Sequence, residues 1–358
     1  MADHKKLFIP GPTEVAPEVL AELSRPMIGH RFPECSGLIA SIVPMVQDML
    51  YTKNMIFLST SSGTGLMEAA VRNCVRSSCV SFINGAFSKR FCQIAKANGK
   101  QAIGVDIPWG NGLSAEIVDE ALAANKGVDA ITMVHNETST AAMSDLEGIC
   151  AMMAEKYPDV SILVDSVSGM AGVKIEVDKL GVDVILASGQ KALALPPGFG
   201  VAAISERALE KARTIENRGF YFDFLAVEKN FANNQTHITP SIPHLYAMKK
   251  QMELITSEGL ENRWNRHKEM AERVRAWAEK NYKIYTQEGY RSETLTCIEN
   301  TRNTDISALN KELAKRDMVI SNGYGDLKNK TFRIAHMGQL TMADIDECLG
   351  AIDEILDF

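Results

Sequence analysis

An α/β fold built on a parallel sheet is what this sequence predicts, and three observations predict it. Short runs rich in Val, Ile and Leu alternate with helix-length segments from residue 55 onward. Those runs are apolar on both faces, the pattern of central strands in a covered sheet. Each strand is followed by a helix before the next strand, which calls for parallel pairing with right-handed crossovers.

The strands are expected at residues 55–59, 79–84, 101–105, 129–135, 161–165 and 183–187, with helices at 65–76, 87–97, 114–124 and 145–157 between them. Residues 198–204 read as a further strand and 206–217 as a helix; 221–235 is polar and reads as irregular. Pro240 and Pro243 open a long amphipathic helix reaching about residue 280, with a break near Gly259. Beyond it, strand-like segments at 282–285, 294–298, 318–321 and 331–336 alternate with helices at 306–315 and 341–356. That change of character divides the chain into an N-terminal arm, residues 1–15, a large domain, 16–256, and a smaller α+β domain, 257–358.

At 358 residues the chain has room for one large domain or two ordinary ones. Thirty-eight basic against 45 acidic side chains leave a formal net charge of −7, which argues against a nucleic-acid groove. The apolar runs 39–45, 130–134 and 184–187 fall far short of the ~20 residues that a membrane crossing needs. No apolar stretch of secretory length follows the basic start, and Ile355-Leu-Asp-Phe358 matches no retrieval or peroxisomal signal. Seven cysteines, an odd number without a CxxC pair, read as free and mostly buried thiols in a reducing cytoplasm, with neither disulfides nor a metal site.

Three segments carry chemistry. Ser61-Ser-Gly-Thr-Gly65 follows a strand and opens a helix, where small residues let backbone N–H groups and hydroxyls approach a phosphate at the positive end of the helix dipole. It lacks both the third glycine of a dinucleotide fingerprint and the Gly-Lys-Ser/Thr of a nucleotide P-loop, and a plain strand-to-helix turn is the other reading. Asp165 ends the apolar run Ile162-Leu-Val-Asp165 at the sheet edge where α/β ligands bind. A carboxylate there calls for a cationic partner; a helix N-cap is its alternative. Lys191 is the one charged residue between Ile185 and Gly198. A lysine so surrounded is partly buried, which lowers its pKa and makes its amine a nucleophile, unless it snorkels from a core edge. In this order, a phosphate-binding turn, an aspartate and, 26 residues later, a sequestered lysine fit pyridoxal 5′-phosphate.

The whole chain resembles the class V aminotransferases of fold type I, especially the alanine–glyoxylate and serine–pyruvate aminotransferase group. The resemblance runs from Phe8-Ile-Pro-Gly-Pro-Thr through Gly29-His-Arg-Phe-Pro-Glu, Ser62-Gly-Thr-Gly, Asn84-Gly-Ala-Phe and His135-Asn-Glu-Thr-Ser-Thr. It continues through Val164-Asp-Ser-Val, Ser188-Gly-Gln-Lys-Ala-Leu and Gly259-Leu-Glu-Asn-Arg-Trp to Phe332-Arg-Ile. It implies a large domain with a mostly parallel seven-stranded sheet sandwiched by helices, and a smaller C-terminal α+β domain.

Residue by residue, the resemblance implies Lys191 as the Schiff-base lysine and Asp165 as the partner of the ring nitrogen. Ser62, Gly63, Thr64 and Gln190 hold the phosphate, Thr138 donates to the phenolic oxygen and Val167 packs beneath the ring. Phe87 takes the ring-stacking position, where a tryptophan is common, and Arg333 grips the substrate α-carboxylate with its planar fork. The resemblance also implies a homodimer with shared active sites, in which Thr239 reaches the partner's phosphate. Thr236 stands where the alanine–glyoxylate enzymes typically carry a phosphate-binding tyrosine. His30-Arg31 resembles a pair that holds a distal substrate anion in phosphoserine aminotransferases, which makes Arg31 a candidate substrate ligand; a dimer-interface ion pair is the competing reading.

The implied function is ping-pong transfer of an amino group from serine or alanine to pyruvate or glyoxylate. Phosphoserine, aspartate and 2-aminoethylphosphonate are alternative donors. A cysteine desulfurase or related lyase shares the fold, but such enzymes carry His rather than Gln190 before the lysine and a nucleophilic Cys, for which Cys35 and Cys297 are the thiols to check. A cofactor-binding protein without activity is a further class, against which Lys191, Asp165 and Arg333 together speak.

Overall fold

A computed structural model describes residues 4–358. Its larger sheet has seven strands in the order Met55–Ser59, Gly200–Ile204, Val184–Ser188, Ser161–Asp165, Ala130–Val134, Ser78–Ile83 and Gln101–Asp106. From Val184–Ser188 to Gln101–Asp106 all pairing is parallel. Gly200–Ile204 alone runs antiparallel to both neighbours. The other six strands therefore end on the same edge.

Alternate residues of these strands feed two cores. Ile56, Leu58, Ile162, Val164 and Ile185 point to the side covered by helices Pro33–Leu50, Leu146–Lys156 and Ile242–Glu258. Phe57, Leu163, Val184 and Leu186 point to the side of Gly63–Cys74, Ala86–Ala97 and Glu206–Arg213. This two-residue period explains why the strands read as continuous apolar runs, each large side chain contributing about 1.5–3 kcal/mol by leaving water.

The second sheet has five strands in the order Lys6–Phe8, Met318–Asn322, Thr331–Ala335, Leu295–Glu299 and Lys283–Ile284. It shares a core with helices Leu260–Asn281, Ile306–Ala314 and Met342–Leu356. Its first strand comes from the N-terminal arm, pairing in parallel with Met318–Ile320.

The structure departs from the sequence reading in two respects. Residues 221–235 are not irregular throughout: they contain helix Phe224–Phe231, capped by Asp223 and burying Phe224 and Val227. Helices Pro17–Glu22 and Pro33–Leu50 were not anticipated; the second holds Pro44 in its interior, which reads in sequence as a breaker. The break expected near Gly259 is present: helices Ile242–Glu258 and Leu260–Asn281 part at that residue, whose φ of +83° suits glycine. All seven cysteines are free and buried. Among the described residues no helix is long and apolar enough to cross a membrane.

Candidate active site

Strand ends gather the chemistry at one edge of the seven-stranded sheet. Ser161–Asp165 ends in Asp165, Val184–Ser188 leads to Gln190 and Lys191, and Ala130–Val134 runs into a short hairpin carrying Glu137 and Thr138. Met55–Ser59 turns through Ser62 into helix Gly63–Cys74. The five-stranded sheet supplies Arg333 from Thr331–Ala335.

Asp165 is 2 % exposed and accepts one hydrogen bond, from the Val167 N–H to Oδ1 (2.7 Å). Burial pushes its carboxyl up to about 7; the Val167 N–H pulls the other way, and the Glu137 charge adds to the rise. Lys191 is 8 % exposed, and burial followed by the nearby Arg333 charge lowers its amine to about 8. The two groups form no ion pair with each other, and burial moves both toward neutrality. The N-terminal arm clasps the lysine. Nζ donates to the Pro10 carbonyl, and Thr13 Oγ1 donates to the Lys191 carbonyl (2.9 Å). Gly11, at φ +114°, permits this approach, because a Cβ there would lie 2.8 Å from Lys191 Cδ.

The turn into helix Gly63–Cys74 is built from small groups. Ser62 Oγ accepts from the Gly65 N–H (3.4 Å). The Gly63 N–H donates to Ser188 Oγ (3.2 Å), which donates to Gln190 Oε1 (2.6 Å). A Cβ on Gly63 would meet Val167 Cγ2 at 2.6 Å, so the glycine lets the helix N-terminus come up against Val167. Ser62, Gly63, Thr64, Val167 and Gln190 thus come together at a helix N-terminus, a setting suited to a phosphate. The set fits pyridoxal 5′-phosphate: a buried carboxylate with one oxygen to spare, an amine near its neutral form and a close-packed anion cradle.

Arg333 is 5 % exposed. Nη1 donates to the Thr138 carbonyl (3.1 Å), and Nη2 donates to Ser321 Oγ (3.1 Å) and the Asn322 carbonyl (3.0 Å). All its partners are neutral, and among the described residues no carboxylate lies within ion-pair distance. Burial lowers its pKa from the usual arginine range. A buried guanidinium without a counter-ion favours an incoming carboxylate. Thr138 Oγ1 shares a hydrogen bond with Ser168 Oγ (2.5 Å).

Three residues escaped the sequence reading. Glu137, fully buried, accepts from the N–H groups of Phe87 (3.1 Å) and Ser88 (2.9 Å) and from Ser139 Oγ (2.6 Å), anchoring the helix that starts beside Phe87. Its one sequence signal is its place in His135-Asn-Glu-Thr-Ser-Thr. Tyr324, 37 % exposed, lies 5.4 Å from the Phe87 ring, centroid to centroid, and 5.6 Å from the Arg333 guanidinium carbon. Arg90 donates through Nη2 to Tyr324 Oη and through Nη1 to Thr64 Oγ1, both at 3.3 Å.

Arg31, Thr236 and Thr239 sit apart from this cluster. Arg31 is exposed; it donates to the Thr236 carbonyl and, at 3.4 Å, to that of His237. Thr236 Oγ1 donates to the Ile238 carbonyl (2.6 Å), and Thr239 is exposed. None of these hydrogen bonds reaches Lys191, Asp165 or Arg333.

Comparison with known proteins agrees with this geometry. Residues 94–336 match the family model described as aminotransferase class V. The L-aspartate–glyoxylate aminotransferase of Paracoccus denitrificans is 31 % identical over 96 % of this chain and 89 % of its own. A serine–glyoxylate aminotransferase of Arabidopsis thaliana is 30 % identical over 98 % and 90 %. The crystal structure of an alanine–glyoxylate aminotransferase from Nostoc superposes with a TM-score of 0.93 at 28 % identity, covering 99 % of this chain and 96 % of that one. With the family model matching most of its length and these relatives aligned along nearly all of it, the chain belongs to the class V aminotransferases.

Proposed function

We propose that this aminotransferase uses pyridoxal 5′-phosphate to move an amino group from a small amino acid, serine or alanine, to a 2-oxo acid, glyoxylate or pyruvate. The observation that carries the donor assignment is Arg333, a buried cation with only neutral partners in the cluster that holds Lys191. Its fork receives the donor α-carboxylate and fixes the orientation of Cα. Bound pyridoxal 5′-phosphate supplies a conjugated ring that accepts the electron pair left at that carbon. Asp165, whose second carboxylate oxygen is free of hydrogen bonds among the described residues, would hold the ring nitrogen in its protonated form. Lys191 would tether the cofactor, and its amine, lowered to about 8 by burial, is the group that would take a proton from Cα.

Ser62, Gly63, Thr64 and Gln190 would hold the phosphate, Val167 and Phe87 would pack against the ring, and Thr138 would donate to the phenolic oxygen in exchange for its contact with Ser168. In a homodimer the exposed Thr239 of each subunit extends to the other's phosphate. Arg31, through the carbonyls of Thr236 and His237, braces that segment. Exposed Met27, Phe32, Phe220 and Tyr221 favour such an interface. The arm, residues 1–15, of which 4–15 are described, the large domain, 16–256, and the small domain, 257–358, are the units that would build this site, and seven free thiols suit a reducing cytoplasm. A lyase built on a cysteine nucleophile is disfavoured: Cys297 is fully buried with its thiol pushed up to about 11 by burial, and Cys35 is likewise enclosed and raised.

The test is the donor half-reaction. Serine, alanine, aspartate, phosphoserine and 2-aminoethylphosphonate are added singly to the cofactor-loaded enzyme without a 2-oxo acid, and conversion of the cofactor to its amine form is followed by absorbance. Single-turnover conversion by serine or alanine, reversed by glyoxylate or pyruvate, is the expected result. Continuous turnover without an acceptor would mean a lyase, and silence with every donor would remove the transaminase assignment.

A further inference from the structure

Arg333 is not the only guanidinium at the site without an acidic partner. Arg90 donates only to two neutral hydroxyls, Thr64 Oγ1 and Tyr324 Oη, and among the described residues no carboxylate lies within ion-pair distance of it. Its side chain is half-buried, and its guanidinium carbon stands 4.9 Å from the centroid of the Phe87 ring. Its charge bears on both Lys191 and Asp165. Tyr324 links it to Arg333: the hydroxyl takes the Arg90 hydrogen bond while the ring lies 5.6 Å from the Arg333 guanidinium carbon. The tyrosine is carried between Gly323 and Gly325, the latter at φ +57°, on the loop joining strands Met318–Asn322 and Thr331–Ala335.

Resting on the aminotransferase reading above, we propose that Arg90 and Tyr324 form the specificity site for the donor side chain and extend the donor range to short dicarboxylic amino acids of the aspartate type. The α-carboxylate goes to Arg333. The side-chain carboxylate, two bonds beyond Cα, replaces neutral hydroxyls on Arg90 with an anion and accepts a second hydrogen bond from Tyr324 Oη. A charge-assisted pair of this kind is stronger than the neutral contacts it displaces, and a partly buried cation gains from it. A neutral donor such as serine or alanine binds through Arg333 alone and leaves Arg90 on Thr64 and Tyr324.

The experiment compares aspartate with serine in the donor half-reaction of cofactor-loaded wild-type, Arg90→Gln and Tyr324→Phe enzymes. The phenylalanine keeps the ring contacts and removes only the hydroxyl. The kcat/KM ratio of aspartate to serine is expected to fall about 10- to 100-fold in Arg90→Gln and about 3- to 10-fold in Tyr324→Phe, with Arg90→Lys recovering part of the loss. Binding of 2-methylaspartate and 2-methylserine, which have no α-proton to lose, follows the same selectivity by calorimetry without turnover. Equal losses for both donors, or an unchanged ratio, would overturn the specificity site and make Arg90 a support for the helix N-terminus. A wild-type enzyme that converts serine but never aspartate would overturn it equally. Conversion of neither donor would instead bring down the aminotransferase reading and this inference with it.

Discussion

The Lys191 side of the site and the Arg333 side respond to burial in opposite ways. On the seven-stranded sheet, burial moves both ionisable groups toward neutrality: Asp165 rises to about 7 and Lys191 falls to about 8. On the five-stranded sheet, Arg333 is buried as deeply but keeps its proton, because a guanidinium resists deprotonation, and neutral oxygens are its only partners. One side can exchange protons during a reaction; the other can only hold an anion still. The division of labour between acid–base chemistry and orientation follows from which residue type each sheet buries.

Removing the exchangeable amine should break the comparison most severely. Lys191→Ala is expected to lower turnover by about 10,000-fold and to shift the absorbance of bound cofactor, with circular dichroism showing a folded protein. Substantial residual transamination would contradict the role given to Lys191. Asp165→Asn should lower turnover by about 100- to 1000-fold, as stopped-flow half-reactions would show.

Asp165 also ties the site to stability. Its folded-state pKa is raised, so between about pH 4 and about pH 7 the native apoprotein binds a proton that the unfolded chain releases, and stability falls as pH rises through that window. Lys191, lowered to about 8, acts at higher pH: between about 8 and 10.5 the unfolded chain binds the extra proton, so stability climbs there. Thermal melts of the apoprotein should show a decline from about pH 5 to about pH 7 that Asp165→Asn flattens. An identical decline in the variant would assign the effect to other groups.

On the fixed-charge side, Arg333→Lys keeps the charge but loses the fork. KM for every donor should rise about 10- to 100-fold while kcat changes less; a loss confined to kcat would point away from carboxylate binding. The smallest effect is expected from Arg31→Ala. Its guanidinium is already engaged by the Thr236 and His237 carbonyls, so serine and phosphoserine should weaken alike, by about 2- to 5-fold. A loss restricted to phosphoserine would make Arg31 a distal-anion ligand.

What was legible in the sequence follows the same division. Asp165 and Lys191 could be singled out because each is a lone charge against an apolar strand or loop, and the turn at Ser62 because small residues cluster where a strand becomes a helix. Those signals are local. Arg90 and Tyr324 could not be found that way, since the contact between them joins positions 234 residues apart and both types are ordinary on a surface. Glu137 was hidden for another reason: much of its hydrogen bonding runs to backbone N–H groups of Phe87 and Ser88, which leave no mark on residue choice, and its side-chain partners Ser88 and Ser139 are serines of ordinary appearance. Among the elements, helix Phe224–Phe231 was obscured by its polar neighbours and Pro33–Leu50 by Pro44.

The arm that clasps Lys191 has a consequence for how the molecule comes into being. Among the described residues Lys6–Phe8 pairs only with Met318–Ile320, and the segment just after it covers the amine of Lys191. During synthesis this strand must therefore wait, unpaired, until the chain has been made as far as Met318–Ile320. The lysine and its sheet can assemble earlier, but the cover over the amine closes last, so an incomplete chain carries the reactive group without its lid. Changes to the segment from Lys6 to Thr13 should therefore act on the proposed site itself, far in sequence from Asp165, Lys191 and Arg333.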